Sequence, residues 1–256
     1  MLGLPINASA SGYEIDSIIL YVHILMFALF LGWGAFFTYT LIRFNRRAHP
    51  KADYTGVTSH VSSKIEIAVV IIEAVLLIGF SIPFWAKHID AFPTRTDTVE
   101  LRIVAEQFAW NVHYPGKDGK FGKTNPKFMD PQNNPVGIDT SDPNAKDDIV
   151  TINQLHLPIG RPTIIHLSTK DVIHCFALPL MRVKQDVIPG MSIPVWFTPV
   201  KTGNFEIACA QLCGIGHYRM KGFMTIHTPE EYDKWLSEQT TIGASSGEGG
   251  ADSFWN

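Results

Sequence analysis

The sequence predicts two membrane-spanning α-helices joined as a hairpin, followed by an all-β domain built as a sandwich or barrel. Two long uncharged stretches near the start and a series of short Val-, Ile-, Phe- and Thr-rich runs after about Arg95 carry that prediction. The average composition agrees with it. Of 256 residues, 46% are hydrophobic and 18% charged, and the mean hydropathy is +0.08. Such a chain is too apolar to be wholly soluble and too polar to be a bundle of membrane helices.

Residues 1–16 form a segment ahead of the first helix, without the basic start of a signal peptide. Ser17–Ile42 then runs for 26 residues without a formal charge, His23, Tyr21 and Tyr39 being its ionisable side chains. At about 1.5 Å per residue it exceeds a hydrocarbon core roughly 30 Å thick, so a helix is expected over about residues 17–43. Ile67–Ala86 is a second such stretch with one acid, Glu73, and with Pro83 and Trp85 near its end; it predicts a helix over about 65–87, the hairpin occupying 17–94. The loop between carries Arg43, Arg46, Arg47, Lys51 and Lys64 against Asp53. The positive-inside bias makes this loop cytoplasmic and places both termini outside. A hairpin with so little chemistry of its own implies a larger membrane partner.

The β-domain is expected over residues 95–239, with strands at Thr98–Val104, Ile149–Leu155, Thr163–Ser168, Ser192–Val200, Gly203–Cys209 and Met220–His227, and a helix at Pro229–Leu236. Pro115–Asp148 is rich in Gly, Pro, Asn, Asp and Lys and reads as a surface insertion. Thr240–Asn256 is Gly/Ser-rich and reads as a flexible tail.

Several function classes drop out. Twenty-one Lys+Arg against 24 Asp+Glu give a net charge of -3, no basis for binding nucleic acid. Three cysteines are too few for a disulfide-dense secreted scaffold. Walker, GxGxxG and GxSxG signatures and the c-type haem motif are missing from the sequence.

The chemistry gathers in Cys209-Ala-Gln-Leu-Cys213-Gly-Ile-Gly-His217-Tyr-Arg-Met220. Two thiols, an imidazole and a thioether in one turn-rich loop suit copper or zinc rather than magnesium or calcium. A second histidine comes from Asp171-Val-Ile-His174-Cys175-Phe176. Successive strand side chains alternate in direction, so if His174 faces the loop Cys175 faces away, as a small buried hydrophobe. A mononuclear blue-copper site, a Cys2His2 zinc site, a Cys209–Cys213 disulfide and a dinuclear centre bridged by both sulfurs all use parts of this set; zinc leaves Met220 unexplained.

Those two motifs, the β-domain and the two helices resemble subunit II of the haem-copper cytochrome c oxidases, over roughly residues 17–236. Met181–Gly190 resembles the family segment that follows the first histidine. The resemblance implies a cupredoxin-like Greek-key barrel carrying CuA, a centre of two copper ions. It implies bridging thiolates at Cys209 and Cys213, imidazole ligands at His174 and His217, and weak ligands at Met220 and the backbone carbonyl of Gln211. It further implies electrons received from a cytochrome c-type donor and passed to haem in subunit I. There oxygen becomes water, coupled to proton translocation. Subunit I and subunit III are the implied membrane partners, alongside lipid. The implied location is a bacterial inner membrane, with the copper domain on the periplasmic side.

The sequence departs from the family at several points. Phe108 stands where the family has a tryptophan that receives electrons, and Trp110 follows two positions on, expected on the same side of a strand. Asp97–Lys234 contains 15 acids and 14 Lys/Arg, so no acidic field for a basic cytochrome is expected; a tethered cytochrome or a neighbouring respiratory complex is the expected donor. Gln211 replaces a glutamate that helps the family bind magnesium; a neutral amide is a poorer ligand for a hard cation, which leaves magnesium open. Glu66 matches a family glutamate at the mouth of a proton-uptake channel, with an interfacial anchor as the competing role. Glu73, seven residues on, lies within about 20° of it on one helix face and is expected to hydrogen-bond a partner subunit. Three alternatives compete with this reading. Quinol oxidase subunits of the same fold lack the copper ligands. Nitrous oxide reductase carries the copper motif without a two-helix hairpin. A membrane-anchored copper-binding or delivery protein would need no Glu66.

Overall fold

The computed structural model describes residues 3–51, 54–56, 58–90, 92–94 and 97–245. Asp53, Arg95 and the Gly/Ser-rich residues 246–256 lie outside the described residues. The chain divides into two compact units. Residues 14–92 form one, and residues 3–13 with those from Pro93 onward form the other.

The helical unit contains α1 (Gly12–Arg43) and a second helical span made of α2 (Val61–Leu76), a π segment (Leu77–Ser81) and α3 (Ile82–Asp90). Both spans are long and apolar enough to cross a membrane. Large apolar side chains such as Phe30, Leu41, Ile67 and Val70 are more than half exposed, which in water would be a steep cost and in lipid is none. Each helix starts earlier than expected, at Gly12 rather than 17 and at Val61 rather than 65. The uncharged stretch marks the apolar part of a helix, and polar residues such as Glu14, Asp16 and Lys64 extend the same backbone beyond it. The π segment has a local cause. Pro83 lacks an N–H, and its ring would clash with the carbonyl of Gly79 four residues back, so the ladder widens by one residue there. Lys87 Nζ donates to Glu14 at 2.6 Å, an exposed pair between the two spans.

Among the described residues, the β unit has ten strands in two five-stranded sheets. They are β1 (Val99–Glu106), β2 (Ala109–Tyr114), β3 (Ile149–Ile152), β4 (Gln154–Pro158), β5 (Thr163–Thr169), β6 (His174–Leu178), β7 (Val183–Val187), β8 (Ile193–Phe197), β9 (Gly203–Cys209) and β10 (Lys221–His227). One sheet runs β3-β2-β1-β5-β8 and the other β4-β10-β9-β6-β7. The β1–β5 and β4–β10 pairs are parallel and the rest antiparallel. The inner faces of the two sheets pack together through Leu101, Ile103, Trp110, Leu155, Leu167, Phe176, Ile207 and Met224, all buried.

The expected strand Ile149–Leu155 is two strands. Asn153 breaks it with a left-handed backbone (φ 58°), its side-chain oxygen accepting from Trp110 N at 2.9 Å. The chain crosses there from one sheet to the other. Three further strands, β2, β6 and β7, were not among the expected runs. β7 is the edge sequence Val-Lys-Gln-Asp-Val, which has too few apolar residues to stand out. After β10, Thr228 and Glu231 form a reciprocal capping box that starts α4 (Pro229–Glu238).

Residues 115–148 cover the outer face of β2. Their few apolar side chains, Val136, Ile138 and Ala145, form a small buried cluster with Val104, Val150 and Ile242. Asp148 accepts from His113 at 2.7 Å and from Gly122 N at 2.9 Å, the His113 and Asp148 side chains being buried. The insertion thus folds onto the sheet rather than standing free of it. The tail also differs from expectation at its start: α5 (Ile242–Ser245) donates Ile242 N to Asp148 O and Gly243 N to Lys146 O, both at 2.9 Å. A single apolar residue, Ile242, supplies the contact that anchors it.

Candidate metal centre

The antiparallel pair β9–β10 fixes the two ends of the thiol loop: Ala208 lies opposite Lys221, and Cys209 N donates to Met220 O at 3.3 Å. Between them the chain makes a bulge. Gly214 turns it at φ 134°, a conformation that a side chain rarely adopts, and His217–Arg219 closes a 3-10 turn. β6 pairs with β9, Phe176 opposite Cys209, and Ala210 N donates to Cys175 O at 3.0 Å. That pairing brings His174 to the thiol loop from 35 residues away.

The expected donors converge. The Sγ atoms of Cys209 and Cys213 are 3.8 Å apart. Cys209 Sγ is 4.0 Å from His174 Nδ1 and 3.2 Å from the carbonyl oxygen of Gln211. Cys213 Sγ is 3.6 Å from His217 Nδ1 and 3.8 Å from Met220 Sδ. Each thiol therefore has one imidazole nitrogen and one weak donor beside it. The ligand atoms of His174, Cys209 and Cys213 lie within 4.8 Å of one another, an arrangement able to hold a metal ion. Burial raises the Cys213 thiol to about 11, helped by a hydrogen bond with Cys209 and by its charge. Cys175 lies outside the set. Its thiol is fully buried and pushed up to about 12, by burial first and then by a hydrogen bond with Asp186, which fits an inert structural thiol.

Around the donors stands a shell that the sequence did not reveal. His174 Nε2 is 2.9 Å from Asp171 Oδ1. A carboxylate only accepts, so that nitrogen carries the proton and Nδ1 keeps its lone pair, facing Cys209 as an acceptor or metal ligand. Burial alone would raise the Asp171 carboxyl; hydrogen bonds from His174, Gln107 N and Val172 N outweigh it and hold the group below its ordinary value. The signal that could have found Asp171 is a carboxylate three residues ahead of a metal-type histidine. Gln107 carried no signal at all.

The two aromatics separate. Phe108 lies in the turn between β1 and β2, partly exposed, its ring against Gly214 and Gly216. Trp110 is inside β2 and fully buried, edge-on to His174 at 6.2 Å and to Phe176 at 5.4 Å. They do not share an exposed face, because the turn ends the strand alternation before Phe108. Gln211 is exposed, as are Leu212, Ile215 and Tyr218, which leave 76%, 95% and 85% of their surface open. Glu66 and Glu73 lie on α2, both exposed within the helical unit.

Comparison with known proteins gives a consistent result. The family model described as "Cytochrome C oxidase subunit II, periplasmic domain" matches residues 104–226. The chain is 33% identical over 214 residues to the alternative cytochrome c oxidase subunit 2 of Bradyrhizobium diazoefficiens, covering 83% of this chain and 75% of that one. It is 29% identical over 251 residues to the cytochrome c oxidase subunit 2 of Synechocystis, covering 91% and 75%. Among solved structures, the periplasmic domain of subunit II of a Bradyrhizobium japonicum cytochrome oxidase matches 57% of this chain and 95% of its own. That match has 26% identity and a TM-score of 0.42.

Proposed function

This chain belongs to the cytochrome c oxidase subunit II family, and from that premise we propose that it is the subunit through which electrons enter a respiratory haem-copper oxidase. The observation that carries the proposal is the paired donor set, two thiols 3.8 Å apart, each with its own imidazole and weak donor. A single metal ion would leave part of this set unused, whereas two bridged copper ions would use all of it. Cys209 and Cys213 would bridge, His174 and His217 would each hold one ion, and Met220 and the Gln211 carbonyl would sit as weak ligands. When bound, such a pair supplies one-electron acceptance and release.

The chain's own residues do the rest. The β-sandwich fixes His174 and Cys209 at strand ends and anchors both ends of the loop that carries the other donors, which would limit the change in geometry between redox states. Asp171 fixes the His174 tautomer. The Phe108 ring and the buried Trp110 keep water from two sides of the site. Phe108 is the side chain of this aromatic pair that reaches the surface, which makes it the candidate contact for an incoming donor. The outward-facing Leu212, Ile215 and Tyr218 support a docking face built on apolar contact. That suits a tethered cytochrome or a neighbouring respiratory complex better than a freely diffusing basic cytochrome. Subunit I, with subunit III, would receive the helical unit's apolar surface in the membrane. Magnesium would require help beyond the Gln211 amide.

The purified full chain, reconstituted with copper, is expected to bind two copper ions per chain, and Cys213→Ser at most one. Metal analysis showing one copper in the unaltered chain, or zinc alone, contradicts this. Glu66 is proposed to stand at the start of a proton-uptake route. In the assembled oxidase, Glu66→Ala is expected to slow turnover about tenfold or more, consistent with loss of one proton-transfer group. Unchanged turnover and proton uptake would remove Glu66 from that role.

A further inference from the structure

We propose that Gln107 is a positioning residue that ties the two halves of the donor set together. Its backbone N–H donates to Asp171 Oδ2 at 2.7 Å, and the other oxygen of that carboxylate receives His174 Nε2 at 2.9 Å. Its side-chain Nε2 donates to the carbonyl of Cys213 at 2.6 Å. One residue therefore reaches the histidine from β6 and the thiol loop between β9 and β10; among the described residues, the backbone pairing between those segments lies where β6 meets β9. The next residue completes the hold. A Cβ on Gly214 would lie 3.1 Å from the Phe108 ring, and one on Gly216 only 2.5 Å from it, so the ring lies directly over the loop backbone.

The loop needs such an external hold. Its apolar side chains Leu212, Ile215 and Tyr218 point to solvent and anchor nothing within the domain. The Cys213 side, by contrast, is buried, at 4% exposure. A carboxamide is the right group for the tie, because it presents a neutral N–H donor to a backbone carbonyl without placing a charge beside two thiols. The purpose of the tie rests on the copper reading; the tie itself does not.

The test uses the metal-free, reduced full chain and two variants of similar size, Gln107→Met and Gln107→Glu. Met removes the donor without adding charge, and Glu replaces the donor with an acceptor; both keep the backbone N–H to Asp171. Iodoacetamide labelling is followed at each cysteine by peptide mass. In Gln107→Met, loss of one hydrogen bond is expected to raise the alkylation rate of Cys213 about 3- to 10-fold, with the rate at Cys175 unchanged. An unchanged Cys213 rate overturns the proposal. So does a parallel rise at Cys175, which would mean general loosening. In the copper-loaded full chain both variants are expected to shift the hyperfine pattern of the paramagnetic centre, and an unshifted pattern also overturns the tie. If the unaltered chain takes up no copper, the copper reading fails while the alkylation result still decides the role of Gln107.

Discussion

At the scale of single residues, the centre depends on how closely the Phe108 ring can approach the loop backbone. Gly216 has an ordinary negative φ of -93°, so its need for glycine is purely one of space. Gly216→Ala puts a methyl group 2.5 Å from the ring and must displace either Phe108 or His217, the next residue. Copper affinity of the full chain is expected to fall about tenfold or more, as when supporting contacts of a metal site are removed. A competition titration giving unchanged affinity would contradict the close packing. The same scale shows what the sequence could reveal. His174, Cys209, Cys213, His217 and Met220 were legible because their side chains carry metal chemistry and four of them fall in one loop. Gln107 was not, because a glutamine amide has no preferred spacing to its targets, and both targets are distant in sequence. The separation of Phe108 from Trp110 was hidden for a related reason: period-two alternation applies within β2, and the turn at Gln107–Phe108 lies outside it.

At the scale of elements, β4, β10 and α4 meet in a stack of rings. His156 lies 4.2 Å from Trp235 and 5.1 Å from His227, its ring nearly parallel to both, and His156 Nδ1 is 2.8 Å from His227 Nε2. That bond needs one donor and one acceptor, so it cannot survive with both rings charged. Burial lowers His156 to about 4, with the His227 charge acting in the same direction. Burial also lowers His227, against the pull of Glu231. Because the folded values lie below the ordinary histidine value near 6.5, the unfolded chain binds more protons. The stabilisation is therefore present above about pH 6.5 and is lost as pH falls toward about 4. The thermal midpoint of the β unit in the full chain is expected to drop across that window, and His156→Phe to flatten the drop. A wild-type midpoint independent of pH there would contradict the stack's neutral state. Strand positions were readable where apolar residues were frequent, as in β5 and β9. They were not where an edge strand is polar (β7), or where a single left-handed Asn153 divides one apolar run between two sheets.

At the scale of the whole molecule, the chain is built for two solvents. Its helical unit exposes an apolar surface suited to lipid and to a membrane partner, and its β unit buries a sandwich core whose strand ends present a sulfur-rich site. The division was plain from charge and hydropathy, since a 26-residue uncharged stretch has few other uses. The folded insertion was not plain, because its core of Val136, Ile138 and Ala145 is too small to register as a pattern. If both thiolates hold two copper ions at once, electron paramagnetic resonance of the copper-loaded, oxidised full chain is expected to show one unpaired electron with a hyperfine pattern shared equally over two copper nuclei, lost in Cys209→Ser. A spectrum with the hyperfine splitting of one copper nucleus would contradict it.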